Sequence, residues 1–195
     1  MSIVLSMAAF ALASSITPGP VNIVSLSCAA RHGVRATLPH VSGATVGFTL
    51  LLVLTGLGLH EVLSQWPVLT QLIRAAGVLF LLYLAYRLAA DEGRISTTEL
   101  RKVPSALDGA LLQWLNPKAW LACVSGMGAF VADGEVFMIG VFAAVYLVIC
   151  WLSLASWAWA GASLRGHLQH AAGVRWFNRA MSALLVVCAL YLLLD

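Results

Sequence analysis

Two short stretches of the chain combine proline with amide or ammonium side chains. Residues 17–22 read Thr-Pro-Gly-Pro-Val-Asn, and residues 116–118 read Asn-Pro-Lys. Proline lacks a backbone N–H and clashes with the preceding turn, so each stretch should break a helix and free carbonyl oxygens. Asparagine donates and accepts hydrogen bonds, and lysine donates them with a positive charge. The pattern predicts two polar helix breaks that can hold a small charged molecule, with a purely architectural kink as the alternative.

Charged side chains inside apolar segments are the second chemical feature. Lys118 lies near the centre of its segment, where a lone cation costs at least about 3 kcal/mol, so it should face the protein interior. It could hold a substrate carboxylate, or it could bond carbonyls freed by the breaks. Asp108 could bind a substrate ammonium or carry a proton, or it could cap the start of a helix. Arg74 is expected to reach the outer interface, with an anion site as the alternative.

The elements that position these groups must be membrane helices. Of the 195 residues, 61% are hydrophobic and 10% are charged, against about 25% charged in a typical soluble domain. So few charges cannot cover a soluble surface, which excludes a soluble enzyme, a disordered segment and a nucleic-acid binder. The cysteines lie far apart in apolar runs and form neither a metal motif nor a disulfide framework. They are Cys28, Cys123, Cys150 and Cys188.

Six apolar runs reach the length of about 20 residues that a bilayer-spanning helix needs. They are Ile3–Ala29, Ala36–Leu59, Val68–Ala89, Ala106–Val131, Val136–Ala162 and Trp176–Leu194. The odd-numbered loops carry the basic residues Arg31, Arg35, Arg94, Arg101, Lys102, Arg165 and Arg175. The even-numbered loops carry Glu61, Asp133 and Glu135. Because basic loops stay in the cytoplasm, both termini are predicted to lie outside.

The longest polar loop, residues 90–105, divides the chain into halves of three helices. An odd number of spans reverses the second half, so we predict an all-α polytopic membrane protein built from two inverted three-helix repeats. The single transmembrane domain would comprise residues 1–195, with repeat one at about 1–90 and repeat two at about 105–195. Proline breaks at matching positions of two repeats point to a substrate site near the midplane. The predicted substrate-binding residues are Pro18, Gly19, Pro20, Asn22, Asp108, Asn116, Pro117 and Lys118.

At these residues the sequence resembles the LysE/RhtB family of amino-acid exporters, over nearly the whole chain. The resemblance implies secondary-active export of amino acids or related zwitterions across the bacterial inner membrane, driven by protons or by the membrane potential. It also suggests a homodimer. The similar stretches are residues 17–22, the basic first loop 31–36, Gly43 with Gly47, Gly77 with Tyr83-Leu84, and residues 116–119.

The sequence departs from the family pattern in ways that bear on energy coupling. Members often carry an acidic residue just after the second glycine of helix two, where this chain has Phe48. Pro39 is an unusual insertion, and residues 125–128 replace a proline and aromatic cluster. Without the helix-two acid, His40 and Asp108 are the remaining candidates for proton coupling, because histidine can titrate near neutral pH. His60, His167 and His170 are placed at helix ends or in loops.

Other functions compete with export. A cation or small-metabolite channel is the main alternative, and an intramembrane enzyme or a scaffold subunit follows. No nucleotide-binding loop and no zincin-type metal motif occurs in the sequence, so we expect neither a cofactor nor a metal. The expected partners are a small-molecule substrate and the lipid bilayer, and no nucleic acid. Gly43 and Gly47 are spaced for close helix packing, which needs no chemistry.

Overall fold

A computed structural model shows a bundle of α-helices. It describes residues 3–59, 68, 71–72, 75, 78–79, 82–83, 85–86, 89–90, 103–131, 135–164 and 171–194. The helices are α1 (Ile3–Ile16), α2 (Pro20–His32), α3 (Val34–Leu54), α4 (Ala106–Trp114), α5 (Pro117–Phe130), α6 (Val136–Leu164) and α7 (Ala171–Leu194). A π-helical turn, Thr55–Leu59, extends α3. None of the described residues lies in a β-strand, as an all-α protein requires.

Three of the described segments are long and apolar enough to cross a membrane. Val34–Gly58 and Val136–Leu164 each qualify alone, and α1 with α2 qualifies as one span that bends by 60° at its break. The outward side chains of these helices are large and apolar, as lipid contact requires; Val46, Leu50 and Leu152 are examples. The protein is therefore an α-helical membrane protein.

Both predicted helix breaks are present. The predicted first run is divided into α1 and α2, and the predicted fourth run is divided into α4 and α5. Some predicted features lie outside the described residues. They are His60, Glu61, Arg74, Gly77, Leu84, Arg94, Arg101, Lys102, Asp133, Arg165, His167 and His170, together with the side chain of Cys188.

Small residues hold α3 against α4 at very short range. A Cβ atom added at Gly43 would collide with the backbone carbonyl of Ala106, and one added at Gly47 would lie 2.7 Å from Cα of Ala110. The contact is reciprocal, because a Cβ atom at Gly109 would strike the backbone of α3. The predicted close packing of Gly43 and Gly47 is confirmed. It brings the helix before the second break directly against α3.

Helix α6 lies in the centre of the described bundle, where it packs against α1, α2 and α3. Its Tyr146 is buried and stacks on Phe48 of α3, with 4.3 Å between the ring centroids. Phe142, one turn away, meets Tyr146 edge-on at 5.8 Å. Such aromatic pairs stabilise their contact beyond simple area burial. Helix α6 therefore forms one wall of the space between the two breaks.

Candidate substrate site at the helix breaks

The two prolines of the first break leave two carbonyl oxygens of α1 without their helical donors. A helical N–H at each proline position would have bonded the carbonyl four residues earlier, at Ser14 and Ile16. Thr17 Oγ1 instead donates to the Ser14 carbonyl at 3.1 Å. The indole Nε1 of Trp157 on α6 donates to the Ile16 carbonyl at 3.0 Å. Unpaired backbone groups are costly where water is excluded, so these donors stabilise the break.

The remaining carbonyls of the break are bonded by side chains that the sequence had singled out. Asn22 Nδ2 donates to the Ser15 carbonyl at 2.9 Å, from a position one turn into α2. The ammonium of Lys118 donates to the Thr17 carbonyl at 2.6 Å and to the Pro18 carbonyl at 3.4 Å. Of the two roles predicted for Lys118, the structure therefore shows the bonding of freed carbonyls. This bond also ties the first break to the second.

The second break is organised by Asn116. Its side chain is buried, and its Oδ1 accepts a hydrogen bond from the backbone N–H of Lys118 at 3.1 Å, which caps α5. Pro117 is the first residue of α5, a position where proline costs no helical hydrogen bond. The indole of Trp120 donates to the Trp114 carbonyl at 2.8 Å and so satisfies an open end of α4. The start of α5 is fixed in place before any substrate binds.

Gly19 and Pro20 set how closely the two breaks approach. Pro20 is the first residue of α2, and Gly19 before it has an extended backbone and no side-chain cap. A Cβ atom at Gly19 would lie 3.3 Å from Cδ and 3.4 Å from Nζ of Lys118, and 3.6 Å from Oδ1 of Asn22. The absence of a side chain at Gly19 thus lets both polar groups lie against the backbone of the break.

A small cavity, lined by both polar and apolar side chains, lies between the breaks and α6. Its volume of about 30 Å³ is enough for about two water molecules. The first turns of α2 and α5 contribute Asn22 and Lys118 to its wall, together with Gln113 and Asn116. The cavity is partly open, so a bound amino acid would extend beyond this volume or move the helices apart.

Sequence reasoning missed a second group of residues in this cavity wall. Ser14 and Ser15 of α1 and Tyr146 and Cys150 of α6 line it, and so does Phe48. Tyr146 Oη lies 2.6 Å from Ser14 Oγ. The available signal was the pair of serines just before the first break and the four-residue spacing of Tyr146 and Cys150, which places both on one helix face.

Comparison with known proteins places the chain in a family. Residues 12–195 match the family model described as LysE type translocator. The chain belongs to this family. This translocator is therefore a membrane transport protein and not an enzyme, and the resemblance noted in the sequence is confirmed. No solved structure matches the chain at a significant level.

Several curated relatives of this translocator carry the name cysteine/O-acetylserine efflux protein. One from Klebsiella pneumoniae is 26% identical over 190 residues, which cover 95% of this chain and 94% of the relative. One from Salmonella typhimurium is 26% identical, with 93% and 91% covered. One from Escherichia coli K12 is 27% identical over 195 residues, with 92% of each chain covered. The similarity extends over nearly the full length of these relatives.

Asp108 of the translocator lies outside the cavity wall and caps α4. Its Oδ2 accepts from the backbone N–H of Ser105 at 2.7 Å and from Ser105 Oγ at 2.8 Å, while its own N–H donates to Ser105 Oγ at 3.2 Å. This reciprocal pattern is a capping box. The structure thus shows the capping role predicted for Asp108, whereas its contact with substrate stays a prediction.

His40 lies on the neighbouring helix, close to Asp108. The imidazole is buried, and neither ring nitrogen makes a hydrogen bond to any of the residues that the structure describes. The backbone of His40 packs on Gly109, and the carboxylate of Asp108 is near enough to attract a charged imidazole. The structure therefore brings both coupling candidates to the contact between α3 and α4, beside the site and not in it.

The described residues contain no group of three His, Cys, Asp or Glu side chains that could hold a metal ion. Cys28, Cys123 and Cys150 are buried free thiols. Ser105, Asp108 and His40 do not form a nucleophile with its base, because the Ser105 hydroxyl is used in the capping box.

Proposed function

We propose that this translocator exports amino acids or related small zwitterions from the bacterial cytoplasm across the inner membrane. The observation that carries the proposal is the cavity between two broken helices. A buried amide from each break and one ammonium lie in its wall. A bilayer-spanning protein keeps such groups at depth chiefly for a polar cargo. The names of the relatives, cysteine/O-acetylserine efflux protein, support small and neutral amino acids as the substrate class.

The two charged ends of a zwitterion match the two kinds of group at the breaks. Helices α2 and α5 begin at Pro20 and Pro117, and their first turns line the cavity. Helix N-termini carry partial positive charge, so together with Lys118 they favour the substrate carboxylate. The carbonyl ends of α1 and α4, with the amide oxygens of Asn22 and Asn116, accept hydrogen bonds from the substrate ammonium. Pro18 and Gly19 shape the first break.

Export requires the cavity to open to each side in turn. We assign six spans to two inverted three-helix repeats, residues 1–90 and 105–195, with both termini outside. The bond from Lys118 to the Thr17 carbonyl joins one repeat to the other. A substrate carboxylate that draws the ammonium away would loosen this bond, so binding would favour the movement of the repeats. A homodimer is proposed from the resemblance alone.

Proton coupling is assigned to the contact between α3 and α4. His40 is buried with both nitrogens unbonded among the described residues, and Asp108 lies near the adjacent helix end. A proton that moves between these groups would change the charge at a contact where the helix backbones meet closely at glycines. Protonation could therefore alter the position of α4, which leads directly into the second break.

Transport into and out of proteoliposomes tests the proposal. Purified protein is reconstituted, and efflux of a broad panel of labelled amino acids is measured against protein-free liposomes. Saturable efflux that Asn22→Ala and Lys118→Ala abolish, and that Lys102→Ala preserves, supports the exporter. Lys102 is the other lysine of the chain and belongs to a predicted loop.

Two results would reject the assignment. One is the absence of efflux for every amino acid on the panel. The other is flux that rises without saturation and is equal in wild type, Asn22→Ala and Lys118→Ala, which would indicate the cation or metabolite channel instead.

A further inference from the structure

Two hydroxyl groups of the cavity wall, those of Ser14 and Tyr146, lie 2.6 Å apart and share one hydrogen bond. Ser14 Oγ also lies 2.7 Å from the Phe10 carbonyl oxygen, to which its single proton can be donated. When Ser14 donates there, Tyr146 Oη is the donor to Ser14 Oγ. In this arrangement the lone pairs of Tyr146 Oη remain able to accept a hydrogen bond.

Ser15 provides the complementary group. Only 8% of this residue is exposed, it lines the cavity, and its Oγ makes no hydrogen bond within the described part of the chain. The polar groups of Tyr146 and Cys150 lie within reach of this hydroxyl but outside hydrogen-bond geometry. A buried hydroxyl that stays unpaired is costly and rare in native structures, so it needs an explanation. A bound molecule that pairs with it provides one.

The position of Ser15 relative to Lys118 fixes which part of a substrate it would meet. The Ser15 carbonyl accepts from Asn22, and the next freed carbonyls accept from Lys118. The hydroxyl and the ammonium therefore belong to the same break. The wall beside Ser15 and Tyr146 also carries the Ser14 hydroxyl, the Cys150 thiol and the Phe48 ring, all uncharged, and Lys118 is the charged residue of the described lining.

We infer that Ser15 and Tyr146 select the side chain of the exported amino acid. They favour a short, uncharged side chain that ends in a hydroxyl or thiol, which would donate to Tyr146 Oη and accept from Ser15 Oγ. An apolar side chain of equal size would leave Ser15 Oγ without a partner and would offer no donor to Tyr146 Oη, and a site built to bond a hydroxyl rejects such analogues. A basic side chain would meet no acid in the described wall. This inference rests on the proposed export of amino acids.

Competition between matched substrates tests the selection. Serine, cysteine and 2-aminobutyrate share one skeleton and differ in a terminal hydroxyl, thiol or methyl group. In counterflow with proteoliposomes, the wild type should transport serine and cysteine in preference to 2-aminobutyrate. Ser15→Ala and Tyr146→Phe should each reduce that preference roughly three- to tenfold, the usual effect of one hydrogen bond.

The matched control is Ser153→Ala. Ser153 is also a buried serine of which the Oγ makes no hydrogen bond within the described residues, but it does not line the cavity. Its replacement should leave the preference unchanged. Because each preference is a ratio within one variant, differences in folding or reconstitution cancel.

The outcomes separate the two proposals. A wild type that transports all three substrates equally, or a preference that neither Ser15→Ala nor Tyr146→Phe changes, overturns the selection and leaves amino-acid export intact. A wild type that moves no amino acid faster than protein-free liposomes rejects export, and the selection falls with it. A reduced preference in both variants, with Ser153→Ala unchanged, supports the inference.

Discussion

The ammonium of Lys118 lies 2.6 Å from the carbonyl oxygen of Thr17, 101 residues earlier in the chain. The bond connects the two proline breaks, because it pairs the ammonium on α5 with a backbone carbonyl of the first break, at an exposed position. The same ammonium lines the cavity, so its structural bond and its proposed contact with substrate compete.

Replacement of Lys118 by methionine should destabilise the protein as well as stop transport. Methionine has a similar length but no donor, so the Thr17 and Pro18 carbonyls would lose their partner. Both hydrogen bonds lie at exposed positions, so the loss of the charged donor should cost about 1 kcal/mol. Thermal unfolding in detergent should show a lower midpoint for Lys118→Met than for wild type. Lys102→Met is the control, and equal midpoints for all three proteins would contradict the bond.

Gly43→Ala should separate α3 from α4. The added Cβ atom would meet the carbonyl of Ala106, a backbone group that cannot turn away as a flexible side chain would. Overpacking of this kind typically costs about 1 to 3 kcal/mol. The unfolding midpoint should fall accordingly, and transport should weaken because α4 leads into the second break.

The control for this substitution is Gly128→Ala on α5. A Cβ atom there would meet nothing within 4 Å. Alanine favours a helix over glycine by about 1 kcal/mol, so Gly128→Ala should leave the midpoint unchanged or raise it. If both variants behaved alike, the close contact between α3 and α4 would not be a determinant of stability.

The features that could be predicted from the sequence are those with local causes. Proline fixes the position of a break by its own chemistry, so the ends of α1 and α4 followed from residues 18, 20 and 117. The four-residue spacing of Gly43 and Gly47 places two residues without side chains on one face of α3. Ser105, three residues before Asp108, provides a cap for α4. In each case the deciding atoms lie within a few residues of one another.

The partners of these features were not predictable because they come from distant, uniformly apolar helices. Helix α6 is apolar on all sides, so no periodic pattern shows that Tyr146 faces the cavity. Nothing local indicates that the indole of Trp157 bonds Ile16, 141 residues away. Helix packing determines which donors bond the free carbonyl oxygens of a break. A single sequence contains no pattern from which that packing can be predicted.

Trp157→Phe tests whether that distant donor matters. Phenylalanine keeps an aromatic ring at the same place but removes the N–H that bonds the Ile16 carbonyl. The bond lies at a partly exposed position, so the expected cost is about 1 kcal/mol. Thermal unfolding should show a small decrease for Trp157→Phe and none for Trp159→Phe, because the Trp159 ring is 70% exposed. A decrease of equal size in both variants would point to general interfacial anchoring instead.

The two roles of Asp108 can be separated by comparing its variant with that of its capping partner. Asp108→Asn keeps an oxygen that can accept from Ser105 but removes the carboxylate, whereas Ser105→Ala removes the capping hydroxyl and keeps the charge. Loss of an N-cap side chain costs about 1 kcal/mol, so Ser105→Ala should lower the unfolding midpoint.

If Asp108 takes part in proton coupling with His40, Asp108→Asn should abolish the stimulation of efflux by a pH gradient while substrate exchange without a gradient continues. Ser105→Ala should retain that stimulation. Stimulation that survives in Asp108→Asn would leave the carboxylate as a cap alone and remove it from the coupling mechanism.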